Sequence, residues 1–215
     1  AQVGEAHQQI ADQLKAAERG TVLLGNLATA HPDYSVLRRL GRAVADACSV
    51  TLGFLPEAAN SVGAHLVGAV ASDGTDARRL LEQPKRGYLL MGVEPDRDFW
   101  NPAQAAKAFD DAEFVVALSA YRSDSLEAAA DVLLPMGLFA ETSGSFVNAA
   151  ATLQSFAGAI TPSGNTRPGW KILRVLGNLL ELEGFDYISS DEVLAETRKA
   201  GGEIQPDNAE SGAVS

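Results

Sequence analysis

The sequence predicts an α/β protein: a Rossmann-like, doubly wound, mostly parallel sheet with helices on both faces, plus a C-terminal β-hairpin and helices. Three observations predict it. Short β-prone runs alternate with helical periodicity five times between residues 21 and 134, the pattern of strand–helix–strand units. The run Gly87-Tyr88-Leu89-Leu90-Met91-Gly92-Val93 is continuously apolar, as in a strand covered on both faces. The clearest amphipathic helix comes after residue 167, once the alternation has stopped.

Residues 5–19 are polar, with Ile10, Leu14 and Ala17 at helical spacing. Gly20 is placed to end that helix. Residues 21–24 form the first strand, and Gly25-Asn26 a turn after it. Residues 34–47 read as helix through Leu37, Leu40 and Val44, and residues 49–55 as the second strand. Residues 58–69 read as a loop entering a small-residue helix, and 75–82 as a short helix with Asp76 near its positive end. The strand at 87–93 precedes a helix at 101–109, a strand at 113–119, a helix at 125–130 and a strand at 131–134 closed by Pro135. Short strands are expected around 146–147 and 153–156. Residues 168–182 present Ile172, Leu173, Leu176, Leu179 and Leu180 as one apolar stripe, with Pro168 in the first turn and Gly184 as the stop. Ser190 is expected to cap a last helix to residue 199, with Leu194 inward. The expected organisation is a Rossmann-like core at 1–135, a hairpin and helices at 136–200 packed on it, and a polar, disordered tail at 201–215.

A net charge of −11 argues against a nucleic-acid partner and against anionic membrane surfaces. Cys48 is the one cysteine, so neither an internal disulfide nor a four-thiolate cluster can form. The first 20 residues show no secretory leader, and no apolar run is long enough to cross a bilayer. A cytoplasmic location is expected.

Chemistry-bearing motifs are absent. The turn after the first strand offers Gly25 alone where a dinucleotide fingerprint needs three glycines. His7, His31 and His65 are not paired at metal-ligand spacing. The acid pairs Asp96 with Asp98 and Asp110 with Asp111 sit in turns, where aspartate bonds its own backbone. Ser143-Gly144-Ser145 lacks a nucleophile-elbow frame. The residues therefore predict no catalytic group and no metal site.

Ala130-Asp131-Val132-Leu133-Leu134-Pro135, then Glu141, Gly144, Phe146, Asn148 and Gln154, resembles a recurring segment of the molybdopterin oxidoreductase superfamily. Gly92-Val93-Glu94-Pro95 resembles that superfamily's loop after the third strand. Leu55-Pro56-Glu57-Ala58-Ala59-Asn60-Ser61-Val62-Gly63-Ala64 and Arg167-Pro168-Gly169-Trp170-Lys171 through Leu180 narrow the match. They resemble the large iron–sulfur subunit of respiratory NADH:quinone oxidoreductase, complex I.

The resemblance implies a C-terminal part of that subunit, with the iron–sulfur clusters in a missing N-terminal part. It implies no cofactor in this fragment, no catalysis by the fragment alone, and other peripheral-arm subunits as partners on the cytoplasmic side of the inner membrane. It implies no direct membrane insertion. The alternative is a molybdopterin-guanine-dinucleotide-binding domain, for which Gly92, Glu94, Glu141, Gly144, Asn148 and Gln154 are the candidate residues. Where the superfamily has Glu-Gly-Arg, this chain has Ala150-Ala151-Thr152. That removes two charged groups and the glycine suited to a left-handed turn. A thiamine-diphosphate enzyme's central domain would share the fold class, but the stretch from Arg167 to Leu180 argues against it.

Overall fold

The computed structural model describes residues 3–29, 31–71 and 76–201. The expected start at Thr75 and almost all of the expected tail at 201–215 lie outside them. The fold is α/β, with parallel sheets flanked by helices. The chain divides into two compact units, one comprising residues up to Gly63 with Val147–Thr152, the other Ala64–Phe146 with the chain from Leu153.

In the first unit α1 (Glu5–Ala16) precedes β1 (Thr21–Leu24). A helical turn, α2 (Asn26–Thr29), follows and was not expected. Next come α3 (Tyr34–Cys48) and β2 (Thr51–Phe54). The strands pair in parallel from Thr21 opposite Thr51 to Leu24 opposite Phe54. A Cβ on Gly41 of α3 would stand 3.4 Å from Leu52 and 3.5 Å from Leu24, so this helix lies close against both strands. Its end is held by Ser49 in the left-handed region at φ 54°, with the Ser49 N–H donating to Asp46 O and the Val50 N–H to Ala45 O.

Helix α4 (Ser61–Leu66) contains the unit boundary. In the second unit α5 (Ala77–Glu82) is capped by Asp76, whose carboxylate accepts the Arg79 N–H at 2.9 Å. Next come β3 (Gly87–Met91) and α6 (Pro102–Asp110). After β4 (Phe114–Ser119), Ser123 caps α7 (Asp124–Ala129), and β5 (Val132–Pro135) closes the series. The three strands form a parallel sheet in the order β3-β4-β5. Central β4 is the buried strand: Val115, Ala117 and Leu118 are fully covered. Leu81, Leu90, Ala105, Ala108, Phe109 and Leu126 complete the core around it. Strand β3 departs from expectation. It is an edge strand, and Leu89 (53%) and Met91 (45%) remain exposed, so its apolar run is not covered on both faces.

The salt bridge between Arg86 and Glu113 ties the starts of β3 and β4. Two nitrogens of the guanidinium reach two oxygens of the carboxylate, each at 2.7 Å. The pairing holds the Glu113 carboxyl below its ordinary value of 4.5. Because the folded pKa is the lower one, the contribution is complete above the ordinary carboxylate range. It is lost as pH falls through the depressed value. Both side chains are mostly exposed, so the effect is small and screened by salt. Acid titration of the melting temperature checks this: Glu113→Gln should flatten the decline below pH 4.5, and an unchanged profile contradicts the assignment.

Strands β6 (Gly144–Val147) and β7 (Leu153–Phe156) form a ribbon, with Phe146 and Phe156 edge to face at 5.1 Å. Helices α8 (Gly169–Leu179) and α9 (Ser190–Gly201) follow. Three expectations are corrected here. Pro168 is the cap of α8, one place before the first turn. Ser189, not Ser190, caps α9: its hydroxyl accepts the Glu192 N–H at 3.3 Å. Leu179 (74%) and Leu180 (69%) are exposed, so the α8 stripe is covered only at Ile172, Leu173 and Leu176, each half-buried.

Candidate functional site

Ligands of parallel α/β sheets bind at the carboxyl ends of the strands, and the sequence candidates cluster there only in part. Gly92 follows β3 in the left-handed region at φ 64°. Its N–H donates to Leu118 O at 2.8 Å, which stitches the strand end to β4. A Cβ on Gly92 would meet Met136 at 3.6 Å, and one on Gly137 would meet Glu141 at 3.5 Å. Gly92 and Glu141 are thus linked through Met136 and Gly137. Glu94 turns aside: its carboxylate pairs with Arg97 at 3.2 Å, and its N–H donates to Asp98 at 2.6 Å. Gly144 and Gln154 lie on the ribbon, Gln154 exposed. Asn148 lies in the first unit.

These groups are largely consumed by the fold itself. Glu141 accepts the Leu138 N–H at 2.9 Å on one oxygen and the Ser163 N–H at 3.2 Å on the other. A carboxylate so engaged fixes the 3-10 turn Phe139–Glu141 against the 158–163 loop. The Asn148 side-chain oxygen accepts from Ala150 N and Thr152 N, each at 3.0 Å. At Gly144 the missing Cβ would lie 2.6 Å from the Phe156 ring. Asp131 of the strand motif accepts the Val115 N–H at 2.7 Å and joins β5 to β4. A pterin cofactor needs free donors and acceptors, and this set does not fit one. Only the Asn148 amide nitrogen and the Gln154 side chain are left without a hydrogen-bond partner among the described residues.

The turn Asn148–Thr152 also shows what Ala151 costs. It stands at φ 58°, where alanine is strained and glycine is not. Ala151→Gly should therefore raise stability by up to about 1 kcal/mol, the strain relief outweighing the added chain entropy. Thermal melting measures it, and a lowered melting temperature contradicts the strain.

The two stretches that narrow the resemblance are packing devices. Asn60 accepts the Val147 N–H at 2.8 Å. Ser61 and Ala58 exchange two hydrogen bonds ahead of α4. Gly63 leaves the space that Asn60 fills: a Cβ there would be 2.0 Å from the Asn60 oxygen. Gly169 lets Met91 and Met136 approach the start of α8, and Gly177 admits the Phe185 ring. The backbone at Arg167 pairs with Pro135 and Gly137, so the start of α8 is tied to the end of β5.

The remaining candidates are ordinary. The His7 ring accepts the Gly4 N–H at 3.1 Å, and the His31 ring the Asp33 N–H at 3.0 Å. Asp96 accepts from the Ser125 hydroxyl, which lowers its pKa, and Asp111 pairs with Lys107 at 2.6 Å. Cys48 is half-buried at the end of α3. No group of three potential metal ligands exists among the described residues. No sequence motif marks one further feature, an open cleft of about 500 Å³. Glu141, Arg167, Trp170, Lys171, Ser189 and Ser190 line it, among others.

Residues 3–179 match the family model for molybdopterin oxidoreductase. A nitrate reductase of Shewanella frigidimarina is 28% identical over 60% of this chain and 14% of its own length. An NADH-quinone oxidoreductase subunit of Streptomyces coelicolor is 36% identical over 44% of this chain and 11% of its own length. The NADPH-Fe(3+) oxidoreductase subunit alpha of Geobacter sulfurreducens is 28% identical over 51% of this chain and 13% of its own. The chain thus spans about a tenth to a sixth of the length of the relatives it matches. With the family model matching most of its length on a parallel α/β fold, the chain belongs to the molybdopterin oxidoreductase family.

Proposed function

We propose that this chain is a non-catalytic structural segment of an NADH:quinone oxidoreductase large subunit. In this reading it supports the peripheral arm that carries electrons from NADH to quinone. The observation that carries it is the internal use of the candidate cofactor residues. Glu141 and Asn148 satisfy backbone N–H groups, Glu94 an arginine, and Gly144 a ring contact, and Asp131 of the strand motif, outside that set, accepts a backbone N–H as well. The similarity to the Streptomyces coelicolor oxidoreductase subunit supports the choice within the family, as do the two stretches at 55–64 and 167–180. No helix of the described residues is long and apolar enough to cross a membrane. The iron–sulfur clusters belong to another part of the parent subunit in this reading, and its location is the cytoplasmic side of the inner membrane.

The test is purification of the tagged protein from its native cells under conditions that keep respiratory complexes intact. Peripheral-arm subunits of the oxidoreductase should accompany it, and recovery without them overturns the reading. The nitrate reductase similarity supports a second reading, a molybdopterin-guanine-dinucleotide-binding domain. The consumed donor set weighs against it.

A further inference from the structure

The chain has two methionines, Met91 and Met136, and the fold brings them to one place. Met91 ends β3, and Met136 follows β5. A Cβ on Gly169, in the first turn of α8, would stand 2.5 Å from the Met91 Cε and 2.9 Å from the Met136 Sδ. The two thioethers therefore fill the space that any larger residue at Gly169 would need. Gly169 is itself buried, so the contact is closed on the helix side. Gly92 adds to the fit, since a Cβ there would lie 3.6 Å from the Met136 Cε.

The same point carries the backbone join between helix and sheet. The Gly137 N–H donates to Arg167 O at 2.9 Å, and the Arg167 N–H to Pro135 O at 3.3 Å. The Met136 N–H donates to Ser119 O at 2.9 Å. The ends of β3, β4 and β5 and the start of α8 thus meet around the two sulfur side chains.

The methionines differ in access. Met136 is half-buried, whereas Met91 lies on the edge strand and is 45% exposed. An accessible thioether is a target for peroxide, and its oxidation turns a flexible apolar side chain into a polar, chiral one. A side chain packed this closely over a glycine has no room for an added oxygen atom.

We propose that Met91 is an oxidation-sensitive latch for the start of α8. Its sulfur attacks the O–O bond of hydrogen peroxide. An S–O bond forms and the O–O bond breaks. The sulfur loses two electrons, the peroxide is reduced, and water leaves. The sulfoxide no longer fits between β3 and Gly169, so the first turns of α8 loosen from the strand ends. Reduction of the sulfoxide closes the contact again. The latch stands on this packing alone and is independent of the assembly reading.

Treatment of the protein with hydrogen peroxide, followed by peptide mass mapping, thermal melting and amide hydrogen exchange, tests it. Met91 should take up one oxygen before Met136 does. The singly oxidised protein should melt roughly 3–10 °C lower. Exchange should quicken in the first turns of α8 and stay level in α6. Methionine sulfoxide reductases for both epimers, with a dithiol reductant, should restore both readouts. Met91→Leu keeps volume and apolar character, so it should melt near the unaltered protein and lose the response. Met136→Leu should retain it. Oxidation of Met136 first, an unchanged melting temperature with one oxygen on Met91, or no recovery with the reductases overturns the proposal. So does a response that persists in Met91→Leu.

Discussion

Leu126→Ala is expected to cost roughly 2–5 kcal/mol, the range for emptying a fully enclosed leucine site. Leu126 has no exposed surface, and it packs in the cluster of Ala105, Ala108, Phe109 and Val115. Its backbone N–H stays on Ser123, so the loss is one of packing and not of the helix cap. For a chain of this size the melting temperature should fall by roughly 5–15 °C. Leu176→Ala offers the contrast. The sequence places Leu176 at the centre of the α8 stripe, yet it is only half-buried. A site open on one side loses less transfer energy and leaves no sealed cavity, so the cost falls to about 1–2 kcal/mol. Urea denaturation of the two variants measures the difference, and equal losses contradict it.

Gly63→Ala is expected to destabilise by about 1–3 kcal/mol, although alanine is the better helix former by about 1 kcal/mol. The new Cβ would stand 2.0 Å from the Asn60 oxygen and 2.8 Å from its Cγ. Asn60 is too short to move only its tip, so it must rotate away from the Val147 N–H it now satisfies. Val147 is buried, and a buried N–H without a partner costs about 1–3 kcal/mol. Steric conflict and the lost hydrogen bond together outweigh the helix gain. The double variant Asn60→Ala with Gly63→Ala should cost little more than Asn60→Ala alone, because the atom that clashes has been removed. Additive losses by thermal or urea melting contradict this coupling.

The alternation of strands and helices was legible because each carries its own local signal. Asp76, Asn101 and Ser123 sit where a helix start needs a side-chain acceptor. Val115, Ala117 and Leu118 are as apolar as a central parallel strand requires. What the sequence hid depends on partners distant in the chain. The apolar character of Leu89 and Leu179 does not tell whether anything covers them. The cap of α9 moved by one residue because Ser189 and Ser190 are chemically alike. At the site, the family motif could be read, but the fate of its polar groups could not. Glu141 bonds across 22 residues, Asp131 across 16 and Asn60 across 87, separations for which no periodicity exists. Ala151 is the exception: its place in the motif foretold the cost of a left-handed turn, and its φ of 58° bears that out.

In the proposed reading, the motif of the molybdopterin oxidoreductase family serves packing in this chain. Asp131 joins strands, Glu141 and Asn148 hold turns, and Gly63, Gly144, Gly169 and Gly177 make room for neighbouring side chains. Molybdenum and pterin content of the protein purified from its own cells, grown with molybdate, tests this most directly. Neither molybdenum nor pterin is expected in stoichiometric amount. Stoichiometric pterin with molybdenum, retained by this chain and lost on Glu141→Gln or Asn148→Ala without loss of folding, would contradict it.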